Sequence, residues 1–245
     1  MSINKIFWVC VSFSAFNHLS AQAADLIPLE DFIKPDQFAH PRLSPDGKHI
    51  AISVNLPQED RFVPTMSVFQ LPEFKMISAI RMPAFEVPED FEWLTNTRLV
   101  VSKATEHGSQ EKPMSTGEVL AVNIDGSKQE YLYGYNMFKM SSKGARYDDD
   151  YGYGSVANIP SIRNGNLLLQ EHKWSNKHST LIEINSINAS RKTIADLPMP
   201  GLYFTIQNNG SPRFASGTDE NNYGVLFERN SEKNEWIQIK DGNLG

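Results

Sequence analysis

Short runs of apolar residues alternate with polar ones, and Asn-Gly, Asp-Gly and Pro turns punctuate them. A unit of four such runs recurs along the 245 residues about four times, with an irregular spacing of roughly 45–65 residues. Together these observations predict an all-β protein made of β-propeller blades, each a meander of four antiparallel strands, with about four blades present. A lone four-stranded meander cannot bury both of its faces, so such units are stable only when stacked on neighbours. A β-sandwich or barrel also uses short strands, and the fourfold recurrence is what favours the propeller.

The first set opens at His40 with the stretch HPRLSPDGKHIAISVN, where Pro45-Asp46-Gly47 turns one strand into the next, Ile50–Val54. Met66–Leu71 and Lys75–Ile80 complete it. The second set is Phe91–Leu94, a turn at Thr95-Asn96-Thr97, then Arg98–Lys103. Gly117–Ile124 follows a polar loop, and the turn Asp125-Gly126-Ser127 leads to Gln129–Gly134. The third set begins at Pro160 and holds Pro160–His172, Ser179–Asn185 and Arg191–Leu197; its Leu167-Leu168-Leu169 does not alternate, which predicts a strand buried on both faces. Tyr203–Gly217, Tyr223–Asn230 and Asn234–Lys240 make the fourth. The five residues after Lys240 (DGNLG) do not read as a cap, so the array is expected to continue and the propeller to be incomplete.

Residues 1–23 read differently. Lys5, the apolar run Ile6–Phe16 and Ala21-Gln22-Ala23 have the order of a secretory signal peptide, and the apolar run is too short to span a bilayer. Cleavage after Ala23 is expected to export the protein to the periplasm or outside the cell, leaving residues 24–39 as a lead-in and 40–245 as blades. Cys10 is the only cysteine and lies within the leader, so disulfides and thiolate metal sites are excluded from the mature chain. A net charge of −6 gives no electrostatic footprint for nucleic acid or an anionic membrane.

Ile27–Ser53 (IPLEDFIKPDQFAHPRLSPDGKHIAIS) resembles the start of secreted bacterial prolyl oligopeptidase-type serine peptidases, of the dipeptidyl- and acylaminoacyl-peptidase kind. Phe91–Ser102 (FEWLTNTRLVVS) and Gly117–Ser127 (GEVLAVNIDGS) are similar to their following blade; the likeness is weaker around Gly134 to Asn158. The resemblance implies an N-terminal propeller, often seven-bladed, over a C-terminal α/β-hydrolase domain that carries the Ser nucleophile in a G-x-S-x-G elbow. This sequence holds no G-x-S-x-G and no strand–helix alternation, so the hydrolase domain is absent from it and no catalytic position carries over. The implied role is to gate short peptide substrates without itself performing chemistry. The alternative is a stand-alone periplasmic propeller that binds a peptide or protein partner.

Residue clusters that suggest chemistry have plainer readings, and no catalytic, cofactor-binding or metal-ligating residue is assigned. Ser44, Asp46, His40 and His49 evoke a triad, but Ser44 and Asp46 are placed to bond local backbone and hold the turn. His172 and His178 lack a third ligand at a defined spacing and are expected on a strand end and a loop. Asp148-Asp149-Asp150 lacks the alternation of a calcium loop and is expected to be a solvated loop. Trp93, Trp174 and Trp236 are expected to pack between blades. Gly152-Tyr153-Gly154 is followed by no Lys-Ser/Thr pair, so it is not a phosphate loop.

Overall fold

The computed structural model describes residues 37–58, 61–108, 110, 112–135, 150–174, 177–230, 233 and 235–239, all within the compact unit 36–245. The leader, the lead-in as far as residue 36, and Asp148 and Asp149 lie outside the described residues.

Sixteen strands form four antiparallel meanders. Sheet I holds β1 (Phe38–Leu43), β2 (His49–Gln58), β3 (Arg61–Gln70) and β4 (Lys75–Ile80). Sheet II holds β5 (Glu86–Thr95), β6 (Arg98–Thr105), β7 (Met114–Asn123) and β8 (Glu130–Tyr133). Sheet III holds β9 (Gly152–Asn158), β10 (Asn166–Lys173), β11 (Ser179–Asn185) and β12 (Arg191–Leu197). Sheet IV holds β13 (Tyr203–Ile206), β14 (Pro212–Thr218), β15 (Gly224–Asn230) and β16 (Glu235–Ile239). In every sheet the spatial order equals the chain order.

Three apolar layers hold the sheets together, and the alternation of side chains explains them. Between I and II lie Ala51, Met66 and Val68 against Phe91, Trp93, Leu99 and Val101. The residue between the last two, Val100, points the other way with Val119 and Ala121, onto Leu167 and Leu169 of sheet III. Leu168 in turn faces sheet IV, against Phe204, Ala215 and Val225. Leu167-Leu168-Leu169 is therefore buried on both faces, as its lack of alternation predicts. Each such Leu contributes on the order of 1.5–3 kcal/mol by leaving water.

β1 approaches β5 and β9 approaches β13, which places the first strand of each sheet on the inside of the array. Ser78 Oγ on β4 donates to the Ile124 carbonyl, and Arg191 on β12 reaches back to the Leu132 carbonyl on β8. Four strands per meander return the chain to the end from which it started. The connections 81–85 and 198–202 are too short to recross a sheet, so they keep sheets II and IV in the orientation of the sheets before them.

The sequence reading misplaces one strand. Gly152–Asn158 is the inner strand of sheet III, where the third set was expected to begin only at Pro160. The glycines that made this stretch look like a loop are required by close packing. A Cβ on Gly154 would stand 2.5 Å from Cδ1 of Tyr133, and one on Gly152 would stand 2.5 Å from the His172 carbonyl oxygen.

Candidate functional site

The opening turn is a closed hydrogen-bonded unit. Ser44 Oγ donates to Asp46 Oδ1 at 2.7 Å and accepts from the His49 amide at 2.9 Å, while the Lys48 amide donates to the same Asp46 oxygen at 3.1 Å. The Ser44 bond, then the Lys48 amide, holds the Asp46 carboxyl below the usual carboxylate range. Gly47 takes φ +70°, the left-handed conformation that the turn needs. His40 sits at the irregularity in β1 with φ +52°, and the His49 ring lies 6.4 Å from Trp93. Ser44 is buried with its hydroxyl already engaged, and its partner is a carboxylate rather than an imidazole.

His172 and His178 take separate partners. The His172 ring lies 5.4 Å from Tyr203, and burial pushes its pKa down. His178 Nδ1 lies 3.1 Å from both oxygens of Asp196, which also accepts from Thr180 Oγ1. Among the described residues no three His, Cys, Asp or Glu side chains group as metal ligands.

Two expectations are corrected. Asp150 is not solvated: it is 4% exposed and forms a two-pronged pair with Arg191, at 2.5 and 2.7 Å. A guanidinium that also caps the Leu132 carbonyl and lies over the Tyr133 ring compensates its burial. Trp174 does not pack between sheets; it is 66% exposed, its ring 5.3 Å from Tyr135 and its amide bonded to the Tyr151 carbonyl. The other two follow expectation: Trp93 is buried between sheets I and II and donates to the Arg42 carbonyl, and Trp236 packs against the apolar layer between sheets III and IV.

Two buried cations escape sequence reading. Lys103 Nζ contacts Glu86 Oε2 at 2.7 Å, Glu118 Oε2 at 2.9 Å and the Tyr131 hydroxyl at 2.7 Å. Burial alone would lower its pKa, but the bonds to Glu86, Tyr131 and Glu118 outweigh it and raise the ammonium above its ordinary value. Burial raises the Tyr131 phenol, and the Lys103 bond only partly opposes that. A cavity of about 30 Å³, water-sized, adjoins Lys103 and Glu86. Arg98 bridges sheets II and III through the Ser186 hydroxyl and carbonyl, Asn123 Oδ1 and the Lys128 carbonyl. Both groups are fully enclosed, and their geometry is that of staples.

The exposed aromatic rings are distributed unevenly. Call the end of each sheet where its first strand starts the loop end, and the opposite one the turn end. At the loop end sheet I shows Phe38 and Phe62, sheet II Phe85, sheet III Tyr151 and Trp174, and sheet IV Tyr203 and Tyr223. Of the exposed aromatics among the described residues, only Phe74 lies at the turn end, stacked on Phe69 at 4.6 Å. The turn end combines tight polar turns such as Ser44–His49 and Asp125–Ser127 with exposed aliphatic residues such as Leu43, Ile162 and Ile187. The loop end is the candidate functional surface.

No family model matches the chain, and no curated protein matches it in sequence. Solved structures do match. Oligogalacturonate lyase, determined in complex with manganese, aligns with a TM-score of 0.52 at 8% identity, over 86% of this chain and 55% of that one. Dipeptidyl peptidase 4 of Porphyromonas gingivalis aligns with a TM-score of 0.51 at 11% identity, over 86% of this chain and 33% of that one. The fold is a β-propeller. At these identities the likeness speaks for the fold alone, and the chain spans about half of the first protein and a third of the second.

Within this propeller, the residues that suggest chemistry in the sequence hold turns and seams, and the exposed aromatic rings gather at the loop end. Sequence reading missed it because it looked for strands, whereas Tyr151, Trp174 and Tyr223 sit just outside them. The legible signal was a large ring next to turn residues, where small polar groups are the rule.

Proposed function

We propose that the chain is the substrate-gating propeller portion of an exported prolyl oligopeptidase-like serine peptidase that acts on short peptides. Chemistry takes place on an α/β-hydrolase domain outside these residues. The reading is carried by the resemblance of Ile27–Ser53, where a lead-in joins directly to the first hairpin, with support from Phe91–Ser102. The presence of a dipeptidyl peptidase among proteins of like fold agrees with it.

A larger ring belongs to the same reading. The extensive inter-sheet contacts among the described residues run from I to II, II to III and III to IV. On the outward face of sheet IV, Leu226, Ile237 and Ile239 are 39%, 55% and 43% exposed. The preceding sheets bury such residues against a neighbour, so a further sheet is the natural cover.

The test is the native gene product. Its intact mass and its sequence beyond Gly245 should reveal further blades and a G-x-S-x-G elbow. The purified product should cleave short chromogenic peptides and leave folded proteins intact. A product without an elbow, or one inert to short peptides and to serine-directed inhibitors, overturns the reading.

A further inference from the structure

We propose that the outer seam between sheets III and IV, a groove lined by Thr193, Ile194, Ala195 and Asp196 of β12 and by Trp236 of β16, is a binding site for a guanidinium group. The site stands apart from the peptidase reading and needs no hydrolase domain.

The neighbouring seam of the same molecule points to it. Outer strands β8 and β12 each carry one extra residue at the same place in the meander. Asn123 and Asn185 close the two outer hairpins by donating to the Ser127 and Ser190 carbonyls. Further along, Leu120 faces Tyr131 and Ile182 faces Thr193, and the next pairs are Val119 with Tyr133 and Leu181 with Ala195. Leu132 and Ile194 are the residues left over, so they are counterparts. In sheet IV, Asn230 faces Glu235 and Arg229 faces Trp236. In sheet III, Asn185 meets Ser190 and Ile184 faces Arg191. Trp236 therefore stands where Arg191 stands in sheet III.

Between sheets II and III, Arg191 donates to the Leu132 carbonyl, lies 5.2 Å from the centre of the Tyr133 ring and pairs with Asp150. Between sheets III and IV, Ile194 takes the place of Leu132, Ala195 that of Tyr133, and an indole that of the guanidinium. With the phenol and the guanidinium both missing, a groove of about 230 Å³ lies at this place. An indole cannot supply the donors of a guanidinium, but it is the best of the aromatic faces for receiving one. Trp236 is held by an edge-on contact with Phe204 of its own sheet, at 5.7 Å. Asp196, its side chain 47% exposed, is the acid in the lining. Lys192 and Arg229 do not line the groove, and Lys192 stands opposite Glu183. A planar guanidinium stacks on an indole while its edge donates to a carbonyl and a carboxylate, whereas a compact ammonium has no such plane. The group belongs to an arginine side chain of another polypeptide or to a free guanidino compound.

Fluorine NMR of the native gene product labelled with 5-fluorotryptophan reads the site. Trp236→Phe assigns the Trp236 signal, and Trp174→Phe and Trp93→Phe assign it independently by elimination. The probes are methylguanidinium, methylammonium and the capped peptide acetyl-Gly-Arg-Gly-amide, the peptide being added after treatment with a serine-directed inhibitor. Methylguanidinium should move the Trp236 signal saturably and leave that of the buried Trp93 in place. Trp174, 66% exposed and outside the groove, reports indiscriminate stacking and should move roughly a tenth as far or less. Peptide binding about tenfold tighter than methylguanidinium, or more, assigns the site to an arginine side chain. Any smaller gain assigns it to a free guanidino compound. A Trp236 signal that moves no further than that of Trp174, or that responds equally to methylammonium, overturns the proposal. A product without a G-x-S-x-G elbow overturns the functional reading alone, and the same titration still decides the groove.

Discussion

Replacing Lys103 with Met tests whether the Lys103–Glu86–Glu118–Tyr131 cluster is a staple. The Lys103 side chain is 2% exposed and that of Glu118 0%, so the substitution removes the cation that faces a carboxylate water cannot reach without opening sheet II. Removing one member of a buried pair costs about 3–5 kcal/mol, because the remaining charge keeps its full desolvation penalty. For a protein of this size each kcal/mol is about 2–4 °C, so a drop in Tm of roughly 10 °C is expected. Urea unfolding followed by Trp93 fluorescence measures it, since that ring lies in the layer between sheets I and II. A companion Lys103→Met/Glu118→Leu variant should recover about half the loss or more, because it removes the stranded charge. Alkali gives an independent arm. Both the Lys103 ammonium and the Tyr131 phenol are raised above their ordinary 10.5 and 10.0, so the folded state holds protons that the unfolded state releases. Stability from this cluster is therefore complete below about pH 10 and declines as pH rises further, and Lys103→Met should flatten that decline. A single-variant loss under about 1 kcal/mol, or a double variant no better than the single, would refute the staple.

Three further outcomes follow from named contacts. Gly47→Val should cost about 1 kcal/mol or more through backbone strain alone, since a Cβ there meets nothing within 4 Å; an unchanged melting temperature refutes the left-handed turn. Gly154→Ala places a methyl 2.5 Å from Tyr133 and 3.1 Å from the Gly117 carbonyl oxygen, and should lose about 1–3 kcal/mol in urea unfolding; a neutral result shows that sheets II and III are less closely packed. His172, lowered by burial, should titrate by NMR below its ordinary 6.5. Protonation of the unfolded chain then makes stability fall as pH drops through about 6.5, and His172→Phe should weaken that dependence. A His172 midpoint at or above 6.5 contradicts its burial against Tyr203.

How much of this was legible in the sequence depends on the range of the interaction involved. The Ser44–His49 turn was legible because every partner lies within five residues and turn chemistry is local. The double burial of Leu167-Leu168-Leu169 was legible because strand periodicity reports both faces at once. Strand β9 was missed because its glycines interrupt the strand pattern locally, whereas Gly154 is required by the Tyr133 ring of sheet II and Gly152 by the His172 carbonyl of the neighbouring strand. Asp150 was misread for the same reason: its partner is 41 residues away, and three adjacent carboxylates say nothing about a distant arginine. Lys103 drew no reading beyond ending the run Arg98–Lys103, because the carboxylates that permit its burial come from β5 and β7.

The two ends of the propeller differ in where their exposed rings lie. The turn end joins adjacent strands of a meander, so its residues must satisfy local rules and stand out as Ser-Pro-Asp-Gly and Asp-Gly-Ser. The loop end joins the second and third strands of each meander and one sheet to the next. Trp174 and Tyr223 stand in the β10–β11 and β14–β15 connections with 66% and 70% of their surfaces in water. Burying that much aromatic surface is worth several kcal/mol to whatever covers it.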